Sequence, residues 1–333
     1  MTLPKIVCLS ANPALDRRVR VHSLVPGDVI RAQSSLALPG GKAAHVAMAA
    51  RALGAHSIWM GFLGGAIGEE VAVGLRKLGI EVVPVPSESS TRVNLEFVED
   101  SGRITEVLEP GGPPGRAAQN EMLRLSAQGL RDRWKGALVS ISGSLPPDVP
   151  AGFYASLIDA ARDVGSKVFF DTSGDALRAA LEAKPDFVKP NRKELEALLG
   201  RSIHNVQEAI DAARELIRRG AQSAAVTMGA DGLIWLESEA GPAWSARPPQ
   251  LNPVSTVGCG DATLAGFAFA SLQGLTGEDA LKLAVACGAA NCLAEFEGRI
   301  SAGDVQSIIP QVQLGRLPPT PRTRLSGPNP LKD

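Results

Sequence analysis

Three features of the sequence predict an α/β protein in which a mostly parallel sheet lies between layers of helices. From residue 136 onward, short apolar runs alternate with amphipathic segments of helical period. Polar and glycine-rich turns follow the apolar runs, at the strand ends where such sheets bind ligands. The chain has 333 residues, of which 44% are hydrophobic, so it can bury one large core or two without disulfides.

The individual elements follow from hydrophobic period and turn residues. Apolar runs predict strands at 5–9, 57–63, 80–84, 136–142, 167–171, 187–189, 223–228 and 232–237. Helical period predicts helices at 43–53, 69–78, 153–164, 176–183, 192–199, 206–219, 261–272 and 278–295. Glycines 54 and 79 end the first two helices. An Asp-Ser-Gly turn at 100–102 predicts a hairpin between the alternating runs 91–99 and 104–108.

Two β-rich patches, 12–35 and 87–110, interrupt the strand–helix alternation. They are expected either to meet as a small separate sheet or to extend one edge of the main sheet. The predicted organisation is a small β region made of these patches, a large α/β domain at 1–11, 36–86 and 111–312, and a Pro-rich tail at 313–333. The tail lacks apolar periodicity and is expected to be extended or disordered.

Composition narrows the class of protein. The net charge of −1 gives no basic field for nucleic acid or an acidic membrane surface. The four cysteines show no C-x-x-C spacing, which is typical of buried thiols in a reducing compartment. The N-terminus shows no signal-peptide pattern, and no apolar run is long enough for a membrane helix. These observations predict a cytoplasmic protein with no nucleic-acid or membrane partner.

The segment 256–263, Thr-Val-Gly-Cys-Gly-Asp-Ala-Thr, is the most informative in the chain. A glycine-rich turn that leads into a helix presents free N–H groups and the positive end of the helix dipole, which together suit a phosphate. Asp261 at that turn is placed to accept a proton from an alcohol that attacks a phosphoryl group. From these eight residues alone, a tight turn with Asp261 as a helix cap is the simpler explanation, and the rest of the chain reverses that preference.

Four other polar segments follow predicted strands, at 142–146, 171–174, 189–194 and 227–232. Each alone is compatible with an ordinary loop, but their repetition at strand ends favours a site. Asn191 and Glu194 lie three residues apart at a helix start. That spacing fits a pair that organises Mg²⁺ through water, and it fits a capping box equally well.

With these segments in place, the chain over residues 5–310 resembles the PfkB (ribokinase-like) sugar kinases. The resemblance rests on seven motifs in order: Asn12-Pro13-Ala14-Leu15-Asp16, Gly40-Gly41-Lys42, Gly61-Phe62-Leu63-Gly64-Gly65, Thr91-Arg92-Val93-Asn94, Ser142-Gly143-Ser144-Leu145-Pro146, Lys189-Pro190-Asn191-x-x-Glu194 and Thr256-Val257-Gly258-Cys259-Gly260-Asp261. It implies a three-layer α/β/α fold with a small β-sheet lid. It also implies a kinase of the phosphosugar branch, with fructose 1-phosphate as the expected acceptor and ATP and Mg²⁺ as cofactors.

The resemblance assigns roles to individual residues. Asp261 becomes the catalytic base, and the backbone of Gly258, Cys259 and Gly260 becomes the anion hole. Asn191 and Glu194 become the Mg²⁺ pair. The residues expected along the nucleotide are Lys189, Asn191, Thr227, Gly229, Gly232 and Asn291, the last beside the adenine.

On the sugar side, the resemblance places Asp16 and Gly41 on hydroxyl groups. The phosphate already on the substrate is assigned to Lys42, Arg92, Asn94 and Ser144. A guanidinium suits a phosphate dianion because its two-pronged donor geometry matches the oxygens. The two β-rich patches correspond to the lid, through which a homodimer is expected. K⁺ is a further ion that the resemblance admits.

Three departures from the family pattern bear on specificity and reactivity. Ala43 stands where a glycine is usual, and His45 stands where an asparagine contacts the sugar. His45 is therefore itself expected to contact the substrate, and it titrates near neutrality in its ordinary state. Cys259 stands where Ser or Ala is commoner, and its position at a helix N-terminus predicts an acidic, reactive thiol.

The alternatives are a tagatose-6-phosphate kinase, a 6-phosphofructokinase and a non-catalytic sugar-phosphate sensor. The segment 105–111 is closer to the tagatose-phosphate relatives, whereas 91–94 is closer to the fructose-1-phosphate relatives. Intact Asp261 argues against a sensor, which needs no base. Lys42 and Arg92 together argue against a kinase of unphosphorylated sugars or nucleosides.

Overall fold

The computed structural model describes residues 3–317, which form two sheets and their helices. The strands are β1 (Lys5–Ser10), β2 (Ala14–Val21), β3 (Ser34–Gly40), β4 (His56–Leu63), β5 (Glu81–Pro86), β6 (Arg92–Glu99), β7 (Ile104–Leu108), β8 (Leu138–Ser142), β9 (Val168–Asp171), β10 (Phe187–Val188), β11 (Ser223–Thr227), β12 (Leu233–Leu236), β13 (Ala243–Arg247) and β14 (Gln313–Leu317). The helices are α1 (Lys42–Ala52), α2 (Gly65–Lys77), α3 (Arg116–Arg131), α4 (Phe153–Arg162), α5 (Gly174–Glu182), α6 (Arg192–Leu199), α7 (Val206–Arg218), α8 (Cys259–Leu272), α9 (Gly277–Leu293) and α10 (Ala302–Ile308).

The large sheet has the strand order β14-β13-β12-β11-β10-β9-β8-β1-β4-β5. Strands from β11 to β5 along this order pair in parallel, and β12, β13 and β14 add an antiparallel edge. Successive β1 residues point to opposite faces, so Ile6 and Cys8 join one core and Val7 and Leu9 the other. Helices α1, α2, α8, α9 and α10 cover the first face, and α3 to α7 cover the second. The predicted three-layer fold is confirmed.

The two β-rich patches meet as a separate four-stranded sheet of order β3-β2-β6-β7, as one of the two sequence alternatives predicted. Strands β2 and β6 run parallel in a register that sets Asp16 opposite Asn94 and Arg18 opposite Glu96. Arg18 binds Glu96 at 2.6 Å within the small sheet, and it also binds Glu297 and the carbonyl of Glu295 in the loop after α9. A buried guanidinium therefore ties the small sheet to the large domain.

Some elements and boundaries differ from the predictions. Helices α3 and α10 and strands β13 and β14 have no counterpart among the predicted elements. Residues 313–317, predicted to begin the tail, form β14 and pair with β13, while 318–333 lie outside the described residues. Strand β3 runs through the predicted boundary between 35 and 36. Between residues 3 and 317 no helix has the length and apolarity needed to cross a membrane.

Candidate active site

A cleft of about 1200 Å³ lies where the carboxyl ends of the parallel strands meet the small sheet and the first turns of α1 and α8. Every residue predicted for the site lines this cleft except Asn291. The motifs that are far apart in the sequence therefore converge on one cavity, as expected for ligand binding in this fold class.

The start of α8 forms a phosphate-sized cradle at the cleft wall. Gly258 adopts φ 75°, a left-handed conformation that favours glycine, immediately before the first helical residue, Cys259. A Cβ at Gly260 would lie 3.1 Å from the ammonium of Lys189, so a positive charge faces the helix N-terminus at this point. Asp261, the third helical residue, is buried beside them. Free N–H groups, the helix dipole and an ammonium group together suit an anion.

Asn291 supports this cradle from behind. Its amide donates to the carbonyl of Val257 at 2.7 Å and accepts from the N–H of Gly298 at 2.8 Å. The side chain is buried and does not line the cleft. The family resemblance implied a place beside the adenine for Asn291, and in the structure its hydrogen bonds hold the loop before α8 in shape.

Two lysines share a buried carboxylate at the centre of the cleft. Asp171, at the end of β9, binds Lys189 at 2.8 Å and Lys42 at 3.2 Å. Burial alone would raise the pKa of Asp171, but the two ammonium groups outweigh it and lower that pKa. Burial likewise opposes the charge of Lys42, yet Asp171 and Glu194 raise its pKa. This role of Asp171 was not predicted from the polar turn at 171–174, although its place at the end of a strand was a signal for it.

Lys42 was predicted to bind the phosphate of the sugar. In the structure its ammonium lies between Asp171 and Glu194, at 3.2 and 3.1 Å. Lys42 thus connects the Asp171 pair to Glu194.

Asn191 and Glu194 form a capping box at the start of α6. The Asn191 side chain accepts from the N–H of Glu194, and the Glu194 carboxylate accepts from the N–H of Asn191, both at 2.9 Å. The local alternative for this spacing is therefore present in the structure. Across residues 3–317 no group of three His, Cys, Asp or Glu side chains is arranged to hold a metal.

Thr227, Gly229 and Gly232 form the wall beyond the capping box. Thr227 ends β11 and forms an isolated bridge with Asn191. Gly229 has φ 62° and Gly232 has φ 94°, and a Cβ at Gly232 would lie 2.0 Å from the carbonyl of Ala246. Only glycine fits at that second position, which brings bare backbone to the cleft.

His45 links two carboxylates that sequence analysis treated separately. Its Nδ1 lies 3.0 Å from Asp261 and its Nε2 lies 3.2 Å from Asp16. Burial alone would lower the pKa of His45, but the hydrogen bonds and charges of both carboxylates raise it to about 10. At neutral pH the ring is therefore an imidazolium that donates one N–H to each carboxylate.

Asp16 is fixed from three sides. Besides His45, it accepts from the Asn94 amide at 2.8 Å and from the N–H of Gly41 at 3.3 Å. Burial would raise the pKa of Asp16, but the bond from His45 and the other donors lower it. A Cβ at Gly40 would lie 2.0 Å from Asp16 Cγ, so the glycine pair makes room for this carboxylate.

Arg92 and Asn94 present polar atoms without partners at the small-sheet end of the cleft. The terminal nitrogens of Arg92 donate to the carbonyls of Glu109 and Asn12, at 2.7 and 3.1 Å. Its Nε and the Oδ1 of Asn94 are buried and have no hydrogen-bond partner. Ser144 lies nearby, where its hydroxyl accepts from the Asn12 amide at 3.1 Å. Buried polar atoms of this kind are usually satisfied, so a ligand is the natural partner here.

Cys259 contacts a second cysteine, Cys292, with their sulfur atoms 3.1 Å apart. This hydrogen bond raises the pKa of Cys259 and lowers that of Cys292 to about 7. The acidic thiol that the sequence predicts at Cys259 therefore belongs to the pair, in which the two sulfurs share a hydrogen bond and the pKa of Cys292 is the one lowered. The sequence held no local signal for this pair, since 33 residues separate the two.

Comparison with known proteins shows the family to which the chain is similar. A model described as "pfkB family carbohydrate kinase" matches residues 4–296. The 1-phosphofructokinase of Vibrio cholerae is 32% identical over 95% of this chain and 98% of its own. The ATP-dependent 6-phosphofructokinase isozyme 2 of Escherichia coli is 32% identical over 91% and 97%. The phosphofructokinase-2 from Escherichia coli in complex with fructose-6-phosphate has a TM-score of 0.84 at 29% identity, covering 93% and 99%. That protein has also been solved with potassium and in a tetrameric inhibited form, with TM-scores of 0.86 and 0.85.

Proposed function

The chain belongs to the pfkB family of carbohydrate kinases, and we propose that it transfers the γ-phosphoryl group of ATP to a hydroxyl of a ketohexose monophosphate. Fructose 1-phosphate, which would become fructose 1,6-bisphosphate, is the acceptor that we expect. Relatives named 1-phosphofructokinase that align over nearly the whole chain support this acceptor.

The unpartnered atoms of Arg92 and Asn94 carry the proposal. Both residues lie on β6 two positions apart, so they face the same side of the small sheet as Asp16, which Asn94 contacts. The free Nε of Arg92 is the kind of donor that a phosphate dianion accepts. A sugar that reached from Arg92 past Asp16 would present a hydroxyl group toward Asp261, because His45 joins the two carboxylates.

In this assignment Asp261 accepts the proton of the attacking hydroxyl while the N–H groups at the start of α8 stabilise the phosphoryl oxygens. Lys189 adds a positive charge at Gly260, where negative charge develops. His45 keeps Asp261 in place through the 3.0 Å hydrogen bond to its carboxylate. The small sheet acts as a lid that excludes water, the competing acceptor.

We assign ATP to the part of the cleft that runs from Lys189 past Thr227, Gly229 and Gly232, where bare backbone allows close approach. Mg²⁺, when bound, neutralises phosphate charge in such reactions. It commonly takes one or two protein oxygens and completes its shell with water and phosphate. The side-chain oxygens of Asn191 and Glu194 already accept hydrogen bonds within the capping box and from Lys42. These residues therefore suit a site in which the protein supplies few ligands and water and phosphate supply the rest.

The proposal is tested by Arg92→Ala, with Arg103→Ala as the matched control on the same sheet. Arg103 lies in the turn between β6 and β7, is exposed, and binds Glu99 at 2.6 Å through its side chain. We expect Arg92→Ala to raise the KM for fructose 1-phosphate by at least tenfold while the KM for ATP stays unchanged, because one charged hydrogen bond is worth about 1.5–3 kcal/mol. An unchanged KM for the sugar phosphate, or an equal effect in the control, would contradict the pocket.

Two other acceptors keep specific support. The relative named 6-phosphofructokinase isozyme 2 is as similar to this chain as the 1-phosphofructokinase of Vibrio cholerae, so fructose 6-phosphate is a second candidate acceptor. Tagatose 6-phosphate is another, because the segment 105–111 is closer to the tagatose-phosphate relatives.

A non-catalytic sensor is tested by Asp261→Asn, which should lower kcat by orders of magnitude and leave sugar-phosphate binding intact. Unchanged turnover in that variant would refute the role of the base.

We also propose a homodimer formed through the small sheet, whose Leu36, Val107 and Leu108 side chains are large, apolar and exposed. Light scattering of wild type and Val107→Asp tests the dimer, and a monomer in both would contradict it.

A K⁺ dependence of turnover is expected from the family resemblance and is measured by replacing K⁺ with Na⁺. The free cysteines fit a reducing compartment, so we place the enzyme in the cytoplasm.

A further inference from the structure

We propose that Cys259 and Cys292 are a reversible redox modification site, in which a disulfide across the anion hole stops phosphoryl transfer. The oxidant is a peroxide or a low-molecular-weight disulfide. Both thiols line the cleft and are partly exposed, so a small oxidant reaches them. The other two cysteines, Cys8 and Cys287, are fully buried in the core.

Helix positions bring the two sulfur atoms together. Cys259 is the first residue of α8, and Cys292 lies one residue before the end of α9, and these two helices pack along each other. The sulfur atoms are 3.1 Å apart. A disulfide bond is about 2.0 Å long, so closing it requires an approach of roughly 1 Å.

The backbone on both sides is braced, which keeps the thiols facing each other. The carbonyl of Cys259 accepts from the Thr263 hydroxyl at 2.8 Å. The carbonyl of Cys292 accepts from the N–H of Val254 at 2.7 Å. Because these bonds hold both backbones, closing the S–S bond strains the start of α8 and the loop that leads to it.

The chemistry begins at Cys292, whose thiolate is accessible near neutral pH. Its sulfur attacks one oxygen of hydrogen peroxide, the O–O bond breaks, and hydroxide leaves and takes up a proton to become water. The product is a sulfenic acid. The Cys259 sulfur then attacks it, the S–S bond forms, and the S–OH oxygen leaves as water with the proton of Cys259. The two sulfurs lose two electrons and the peroxide gains them.

The consequence follows from the place of Cys259. Its N–H belongs to the cradle between Gly258 and Gly260, two residues before Asp261. A displacement of about 1 Å in a catalytic arrangement can cost about a hundredfold in rate. Reduction of the disulfide by a thiol restores the original geometry, so the loss is reversible.

The test uses the full chain, treated with hydrogen peroxide or glutathione disulfide and digested without reduction. We expect a Cys259–Cys292 cross-link by peptide mass, about a hundredfold loss of ADP formation, and recovery with dithiothreitol. Cys292→Ser should keep its turnover in oxidant. Cys287→Ser, a buried control on the same helix, should lose it as wild type does. The mass measurement needs no substrate, so it is independent of the proposed acceptor.

Three results would overturn the proposal. The first is that both thiols remain free at oxidant concentrations that oxidise an exposed thiol. The second is that the cross-link forms and turnover does not change. The third is that Cys292→Ser is inactivated as fast as wild type, which would place the damage at another residue.

Discussion

Replacement of His45 by alanine removes the only cation seen between Asp16 and Asp261 in the described part of the chain. The side chain of Asp261 is 7% exposed and that of Asp16 is 22% exposed, so water replaces little of the lost interaction. A pKa that rises from 6.5 to about 10 corresponds to about 5 kcal/mol of preference for the imidazolium in the folded state. Removal of one partner from a buried ion pair typically costs about 3–5 kcal/mol.

We therefore expect His45→Ala to lower the free energy of unfolding at pH 7 by about 3–5 kcal/mol, measured by urea unfolding with tryptophan fluorescence. The control is His22→Ala. His22 also binds a carboxylate, Asp100 at 2.7 Å, but its side chain is 87% exposed. An exposed pair of this kind contributes about 0–1 kcal/mol.

The pH dependence gives a second, independent reading. Since the pKa of His45 is higher in the folded state, its stabilisation is complete below pH 6.5 and is lost as the pH rises through about 10. The difference in stability between wild type and His45→Ala should therefore shrink between pH 6.5 and 10. A cost below about 1 kcal/mol at pH 7, or a difference that grows with pH, would refute the imidazolium bridge.

Three further predictions follow from the geometry. Lys189→Met should lower kcat by at least about tenfold, because its ammonium faces Gly260, and it should spare fructose 1-phosphate binding measured by calorimetry; unchanged kcat would contradict its role. Arg18→Met should lower the free energy of unfolding, measured with urea, by about 3–5 kcal/mol, because two buried carboxylates lose their partner. Arg20 is exposed, so Arg20→Met should cost under about 1 kcal/mol. Equal costs would contradict the ion pairs that connect the small sheet to the large domain. Gly258 and Gly274 have φ values of 75° and 71°, so replacement of either by alanine should cost about 1–2 kcal/mol of stability. Only Gly258→Ala should also lose turnover, since a Cβ at Gly258 would lie 3.0 Å from Glu297 whereas a Cβ at Gly274 would meet open space. Full activity of Gly258→Ala would refute the cradle.

Local patterns were enough to predict most of the fold. The strands around β1, β4, β8 and β9 and their helices follow from period and turn residues alone. The Asn191–Glu194 capping box was likewise readable, because its partners lie three residues apart. Helix α3 was missed, although Ala118, Met122, Ser126 and Leu130 bury one face at four-residue spacing, since polar residues fill the rest of it.

Contacts across long separations could not be predicted from the sequence. The bridge from Asp16 through His45 to Asp261 joins two segments 216 residues apart, and it exists only because α1 and α8 start side by side. The sequence placed His45 at the substrate but gave no partner that would hold it charged. The ion pair between Lys42 and Asp171 likewise joins residues 129 positions apart, so it forms only once the chain has folded.

The most direct test of the account is the rate of ADP formation from MgATP with fructose 1-phosphate, fructose 6-phosphate, tagatose 6-phosphate and unphosphorylated fructose, measured side by side. We predict a kcat/KM for fructose 1-phosphate that exceeds the others by about a hundredfold or more, because the free Nε of Arg92 would bind the phosphate of one isomer while the free Oδ1 of Asn94 would accept from a sugar hydroxyl beside Asp16. Turnover of unphosphorylated fructose as fast as of any phosphosugar, or no turnover of the three sugar phosphates, would contradict it.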